Sequence, residues 1–72
     1  MSPVAQRVAD AVYQNPSRVL CFACLAAREG LAEHDVRAAA LVLVARAGFR
    51  LLQRVCYACR RTDEMLVSEK AA

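Results

Sequence analysis

Apolar residues recur at helical spacing along the start of the chain. Val4, Val8, Ala11 and Val12 fall on one face, with Gln6, Arg7, Asp10 and Gln14 on the other. Ser2 before Pro3 predicts the helix start, with Ser as N-cap and Pro at the first helical position, where a missing N–H costs nothing. Asn15-Pro16 predicts its end, because a residue before proline is pushed out of the helical region. Residues Ser17 to Leu20 read as a short extended lead-in. A second helix is expected from Ala23, with Leu25, Ala26 and Leu31 inward, Arg28 and Glu29 outward, and Gly30 as its stop. A third should run from about Glu33 to Ala47, with Val36, Ala40, Leu43 and Ala47 as its core stripe and Gly48 as its stop.

After Gly48 the period shortens. Phe49, Leu51 and Val55 predict a strand over about 49–55, Arg60 to Asp63 a polar turn, and Met65-Leu66-Val67 a returning strand, together a β-hairpin. Residues 68–72 are expected to fray. The fold class read from this order is α+β, mainly α, as one domain over 1–72 with its core over about 3–67. A hydrophobic fraction of 58% excludes disorder, yet much of it is alanine. Core volume therefore rests on Val8, Val12, Leu20, Phe22, Leu25, Leu31, Val36, Leu43, Phe49, Leu51, Val55 and Leu66. A core in a chain this short supplies about 3–5 kcal/mol of net stability, so a further staple is expected.

The cysteines provide one. Cys21-Phe-Ala-Cys24 and Cys56-Tyr-Ala-Cys59 hold every cysteine of the chain. Two C-x-x-C knuckles separated by a long spacer are the arrangement that closes a tetrahedral Zn(Cys)₄ site, each tight turn supplying two thiolates. Disulfides and a redox dithiol are the competing readings. The latter needs a C-x-x-C opening a helix within a βαβ unit, and no such unit fits. Four thiolates leave no open position for water, so one structural Zn²⁺ rather than a catalytic one is expected. Its formal charge of about −2 with four thiolates would be offset by nearby Arg18, Arg54, Arg60 and Arg61. Phe22 and Tyr57 are expected to shield it from solvent. The start of the chain lacks a basic region followed by an apolar run, which makes a cytoplasmic, reducing location the expectation and favours metal over disulfides. No apolar stretch is long enough to span a bilayer.

The segment from Leu25 to Ala39 is the most informative one. Ala26 lets two helices cross closely, Gly30 makes the turn, and Val36 plugs the next helix onto the first. Here the chain resembles the helix-turn-helix of bacterial transcriptional regulators. With a helix before it and a hairpin after it, the chain resembles a three-helix winged helix-turn-helix over roughly residues 3–67, stapled by zinc. The resemblance implies transcription regulation, with a third helix in the DNA major groove and a wing on phosphates. Carried over, the base-reading candidates are His34, Asp35, Arg37, Ala38 and Leu41, and the phosphate candidates are Arg28, Arg60 and Arg61.

Charge tempers this reading. The net charge of +3 is compatible with a polyanion but modest, and arginine supplies all but one of the ten basic residues. Glu33 and Asp35 open the presumed reading helix and oppose phosphates, leaving Arg37 as the side chain with fork geometry for guanine. Beyond it, Ala38 to Ala45 is apolar on every face, and a helix apolar all round is buried all round. The alternative is therefore a protein-interaction adaptor or a homodimer, meeting its partner through Ala38–Ala45. His34 reads best as a solvated residue. The sequence shows no catalytic triad, paired carboxylates or phosphate-cradling loop, so neither enzyme activity nor a small-molecule substrate is expected.

Overall fold

In a computed structural model, which describes residues 2–46 and 48–69, three helices are followed by an antiparallel hairpin. The elements are α1 (Pro3–Gln14), α2 (Phe22–Glu29), α3 (Glu33–Val44), β1 (Phe49–Val55) and β2 (Thr62–Ser68). Ser2 caps α1 as its composition dictates: its Oγ accepts from the Ala5 N–H at 3.2 Å, with Pro3 inside the cap. At the far end, Asn15 donates its side-chain amide to the Ala11 carbonyl at 3.4 Å. Gly30 ends α2 with φ +68, the left-handed conformation that an L side chain resists. Leu31 then donates back to the Ala26 carbonyl at 2.9 Å. Arg7 ties α1 to the same corner by donating to the Glu29 carbonyl at 2.8 Å, a cation at a helix C-terminus.

No side chain caps the N-terminus of α3, whose N-cap is Ala32. Glu33 and Asp35 in its first turn take over electrostatically, because carboxylates favour the positive end of a helix. The inward face is Val36, Ala39, Ala40 and Leu43. They join Ala5, Val8, Ala9, Phe22, Leu25, Ala26, Phe49 and Leu66 in one core between the helices and the hairpin. Helix α3 stops at Val44, three residues short of the sequence expectation. Arg46 donates to the Leu43 carbonyl at 3.0 Å, so the last turn tightens before Gly48 is reached. Ala47, expected in the core stripe, lies outside the described residues. Gly48, at φ +109, turns the chain into β1.

The hairpin pairs Phe49 with Ser68 and Val55 with Thr62 at its two ends. Its root is buried against the helices, and the residues toward its loop, Gln53 to Val55 and Thr62 to Glu64, are exposed. Phe49 packs on the helices and half-buried Leu51 beside it, whereas Val55, expected in the core, is 56% exposed. The helices cover only the start of β1, and beyond Leu52 every residue of that strand faces solvent. Strand β2 is buried continuously from Met65 to Ser68 because both its faces are covered. Leu66 reaches the helical core and Met65 the cysteine cluster. Ser68, expected to fray, is thus the last residue of β2, and Glu69 donates to the Gly48 carbonyl at 2.9 Å. Residues 70–72 lie outside the described ones. Residues 17–20 form no strand, and the sheet among the described residues has two strands. A single bond, from the Tyr57 N–H to the Val19 carbonyl at 2.9 Å, docks that segment on the hairpin loop. No helix among the described residues is long and apolar enough to cross a membrane.

Candidate metal centre

The first knuckle sits on a helix start. Cys21 is the N-cap residue of α2, with extended backbone, and Cys24 lies in the first helical turn. Peptide dipoles aligned along α2 place partial positive charge beside both sulfurs, which favours thiolate. The second knuckle is the hairpin loop itself. Cys56 donates to the Arg61 carbonyl at 2.8 Å, and Arg60 donates to the Cys56 carbonyl at 3.0 Å. Closing so short a loop forces Arg60 to φ +66, a left-handed backbone on a residue with a Cβ. The turn therefore falls inside the knuckle at 57–59, and the expected turn at Arg60–Asp63 is displaced, with Thr62 and Asp63 already in β2.

These two turns bring together the four cysteines that the sequence singles out. The sulfurs of Cys21, Cys24, Cys56 and Cys59 all lie within 4.8 Å of one another, and those of Cys21 and Cys59 are 3.8 Å apart. Sulfurs placed tetrahedrally at the ~2.3 Å zinc–thiolate distance have edges of about 3.8 Å. A disulfide needs about 2.05 Å, and all four thiols are free. The cluster can hold a metal ion. Cys56 is fully buried, Cys21 nearly so, Cys24 half-buried and Cys59 exposed, so one edge faces water. Met65, fully buried, floors the cluster, with Val19 and Leu20 beside it.

The chemistry of the donor set supports a cation. Burial works against ionising Cys56, yet N–H groups of Cys59, Cys21 and Ala58, with the Cys59 thiol, outweigh it and bring the group down to about 6. Two of these are bonds of 3.5 Å from Cys59 and 3.4 Å from Cys21. Its neighbours move the other way. Cys24 is pushed up to about 12, first by the Cys21 thiol, then by Cys56 and by burial. Burial, partly offset by the Cys24 N–H, also raises Cys21. One thiolate forms readily at neutral pH and then opposes the next, so four thiolates require a positive ion among them.

The surroundings differ from expectation in one place. Phe22 does not shield the cluster: it packs in the helical core, with the Arg37 guanidinium 4.9 Å from its ring centroid. Among the described residues the arginines expected to offset the charge of the cluster make no hydrogen bond to a cysteine sulfur. Arg18 and Arg60 instead both lie on the ring of Tyr57, at 5.4 and 5.5 Å from its centroid. Tyr57 is 49% exposed. An open groove beside it is lined by Ser17, Val19, Gln53, Arg54, Val55 and Arg60. A narrow cleft on the far side of Arg18 is lined by Arg28, Asn15 and Leu66 among others.

The remaining residues singled out by the sequence lie along α3. His34 is 84% exposed and stands 3.3 Å from the Asp35 carboxylate. Arg37 is held by Glu33 at 2.8 Å. Ala38 is exposed, as is Leu41, at 61%. Arg28 and Arg61 are exposed on α2 and at the hairpin loop. One residue with a role at this end escaped the sequence reading, and the role of Tyr57, expected only as a shield, was read in part. Met65 looked like any strand residue, and Tyr57 gave no sign of carrying two guanidiniums beyond its position inside the knuckle. Comparisons of the chain with protein-family models, with curated proteins and with solved structures find no match to any of them.

Proposed function

We propose that this chain is a zinc-stapled, winged-helix-like DNA-binding module of the kind used in transcription regulation, and that its phosphate contacts lie at the knuckle end. The observation that carries this reading is a connected run of arginines without acidic partners. Arg28 and Arg18 share one cleft, Arg18 and Arg60 share the Tyr57 ring, and Arg60 and Arg54 share the adjoining groove. None of the four has a carboxylate within 4.0 Å among the described residues, although Asp63 is the cross-strand neighbour of Arg54. Stacking on Tyr57 holds two of these guanidiniums in place, which lowers the entropy lost when each meets a phosphate. The proposed zinc fixes both knuckles at once, so the α2 start and the hairpin loop present their arginines at a set spacing.

Arg37, the expected guanine reader, is engaged by Glu33 and Phe22 in the free chain. The reading therefore rests on the hairpin loop and the 17–20 segment more than on α3. Fluorescence anisotropy with short duplex DNA at a series of salt concentrations tests it. Binding should weaken as salt rises, with a log–log slope of about −0.9 for each phosphate neutralised. Arg18→Ala should reduce the magnitude of that slope by about one unit. Absence of binding at 50 mM salt, or a slope that Arg18→Ala leaves unchanged, overturns the proposal.

A further inference from the structure

The outward face of α3 has a pattern that the DNA reading leaves unused. Ala38, Leu41, Val42 and Ala45 are all exposed, Leu41 by 61% and Val42 by 48%. At 100° per residue they lie opposite the buried Val36, Ala40 and Leu43. Beside them runs a shallow groove between α1 and α3, lined by Ser2, Val4, Asp35, Ala38, Ala39 and Val42. Asp35 stands at its α3 N-terminal end. Arg46, just past the C-terminus of α3, has no carboxylate within 4.0 Å among the described residues.

We infer that this face binds a second copy of the same chain, with the two α3 helices antiparallel about a two-fold axis near residue 40. In that arrangement the large residues of the face meet its small ones. With the axis there, Ala38 of each chain lies opposite Val42 of the other, so each valine fills the groove floored by the partner copy's alanine beside Val4. Residues at mirrored distances from the axis meet on the same flank, and helical spacing carried through Ala45, whose backbone is still right-handed helical, puts Arg46 on the flank of Asp35. Each Asp35 thus reaches Arg46 of the second copy, one at each end of the seam. Among the described residues, the one ion-pair partner of Asp35 in the single chain is the exposed His34. The two Leu41 side chains close the opposite flank. An isologous contact of this kind is self-limiting: two copies satisfy it and no third can add. Small-to-large pairing and opposite charges at both ends set the register.

The inference does not rest on the DNA reading, and its test involves no nucleic acid. Sedimentation velocity of the metal-loaded protein over a concentration series should show a monomer–dimer equilibrium and no higher species. Val42→Glu places two carboxylates near the axis and should weaken dimerisation at least 100-fold, while circular dichroism and bound metal stay unchanged because Val42 is on the surface. Asp35→Arg and Arg46→Asp should each weaken it about tenfold. The double variant Asp35→Arg/Arg46→Asp should recover the loss, since the charges then meet in reverse. A protein that remains monomeric at millimolar concentration overturns the inference. So does a dimer indifferent to Val42→Glu, or a double variant no better than the singles, which would place the contact elsewhere or in another register.

Discussion

Arg60 shows how a single residue can meet a structural demand and also carry the binding task proposed for it. The knuckle requires a left-handed backbone at this position, at φ +66, where glycine would sit without strain. Retaining a side chain there costs about 1–2 kcal/mol, and what it places is a guanidinium on Tyr57 beside the groove. Arg60→Gly separates the two effects. Relief of the strained backbone and the greater freedom of glycine in the unfolded chain nearly cancel, so stability should change by no more than about 1 kcal/mol. Affinity for DNA should nonetheless fall. Urea unfolding and anisotropy on the same variant check both, and a loss of stability with unchanged affinity would make Arg60 purely structural.

Among the elements, the turn between α2 and α3 is where local conformation alone decides the energetics. A Cβ built on Gly30 meets nothing within 4 Å, so only its φ of +68 resists substitution. Gly30→Ala should cost about 1–2 kcal/mol, with little change in the fold, as urea midpoints would show. Punctuation of this sort made the fold legible: Ser2-Pro3, Asn15-Pro16 and Gly30 mark their boundaries by covalent geometry, and the change of period at Phe49 marks β1. The end of α3 was not legible, because Ala45 and Arg46 carry no stop signal and the last turn tightens by a backbone bond alone. Val55 and Met65 exchanged places relative to expectation for a similar reason. A strand's own period cannot tell which part of a hairpin the helices cover, or that Met65 would meet sulfur. Of the site, the ligands were legible from spacing, since only cysteine pairs in tight turns supply that geometry. The Tyr57 stack was not, because it depends on how the 17–20 segment docks on the hairpin loop.

At the scale of the whole molecule, the cysteine cluster joins what the hydrophobic core leaves apart. The core holds the helices and the hairpin root, while among the described residues the hairpin loop meets the rest of the chain through the knuckles, the Tyr57–Val19 bond and the Arg18–Tyr57 contact. Stability should therefore depend steeply on pH. In the unfolded chain the four thiols keep their protons up to about pH 8.5, whereas in the metal-loaded fold they hold none. The unfolded state binds more protons, so stability rises with pH, by up to about 5 kcal/mol per unit at fixed free zinc until the unfolded thiols ionise. Without metal the sulfurs oppose one another: Cys56, lowered from 9.0 to about 6, contributes stability that is lost as the pH falls through about 6, while Cys24 and Cys21, both raised, contribute in the opposite sense. Urea midpoints in zinc-buffered solution between pH 6 and 8 should climb accordingly, and a flat profile would mean that no thiolates are held.

The claim on which the rest depends is that one metal ion ties Cys21 and Cys24 to Cys56 and Cys59. Native mass spectrometry of the intact protein, purified without added metal or chelator, tests it most directly. The account predicts a mass increase of one zinc less two hydrogens per chain, the two positive charges of the ion replacing two protons at any given charge state. A chain carrying no metal and lacking four hydrogens, the mark of two disulfides, would contradict it, as would a fully reduced chain with no ion bound.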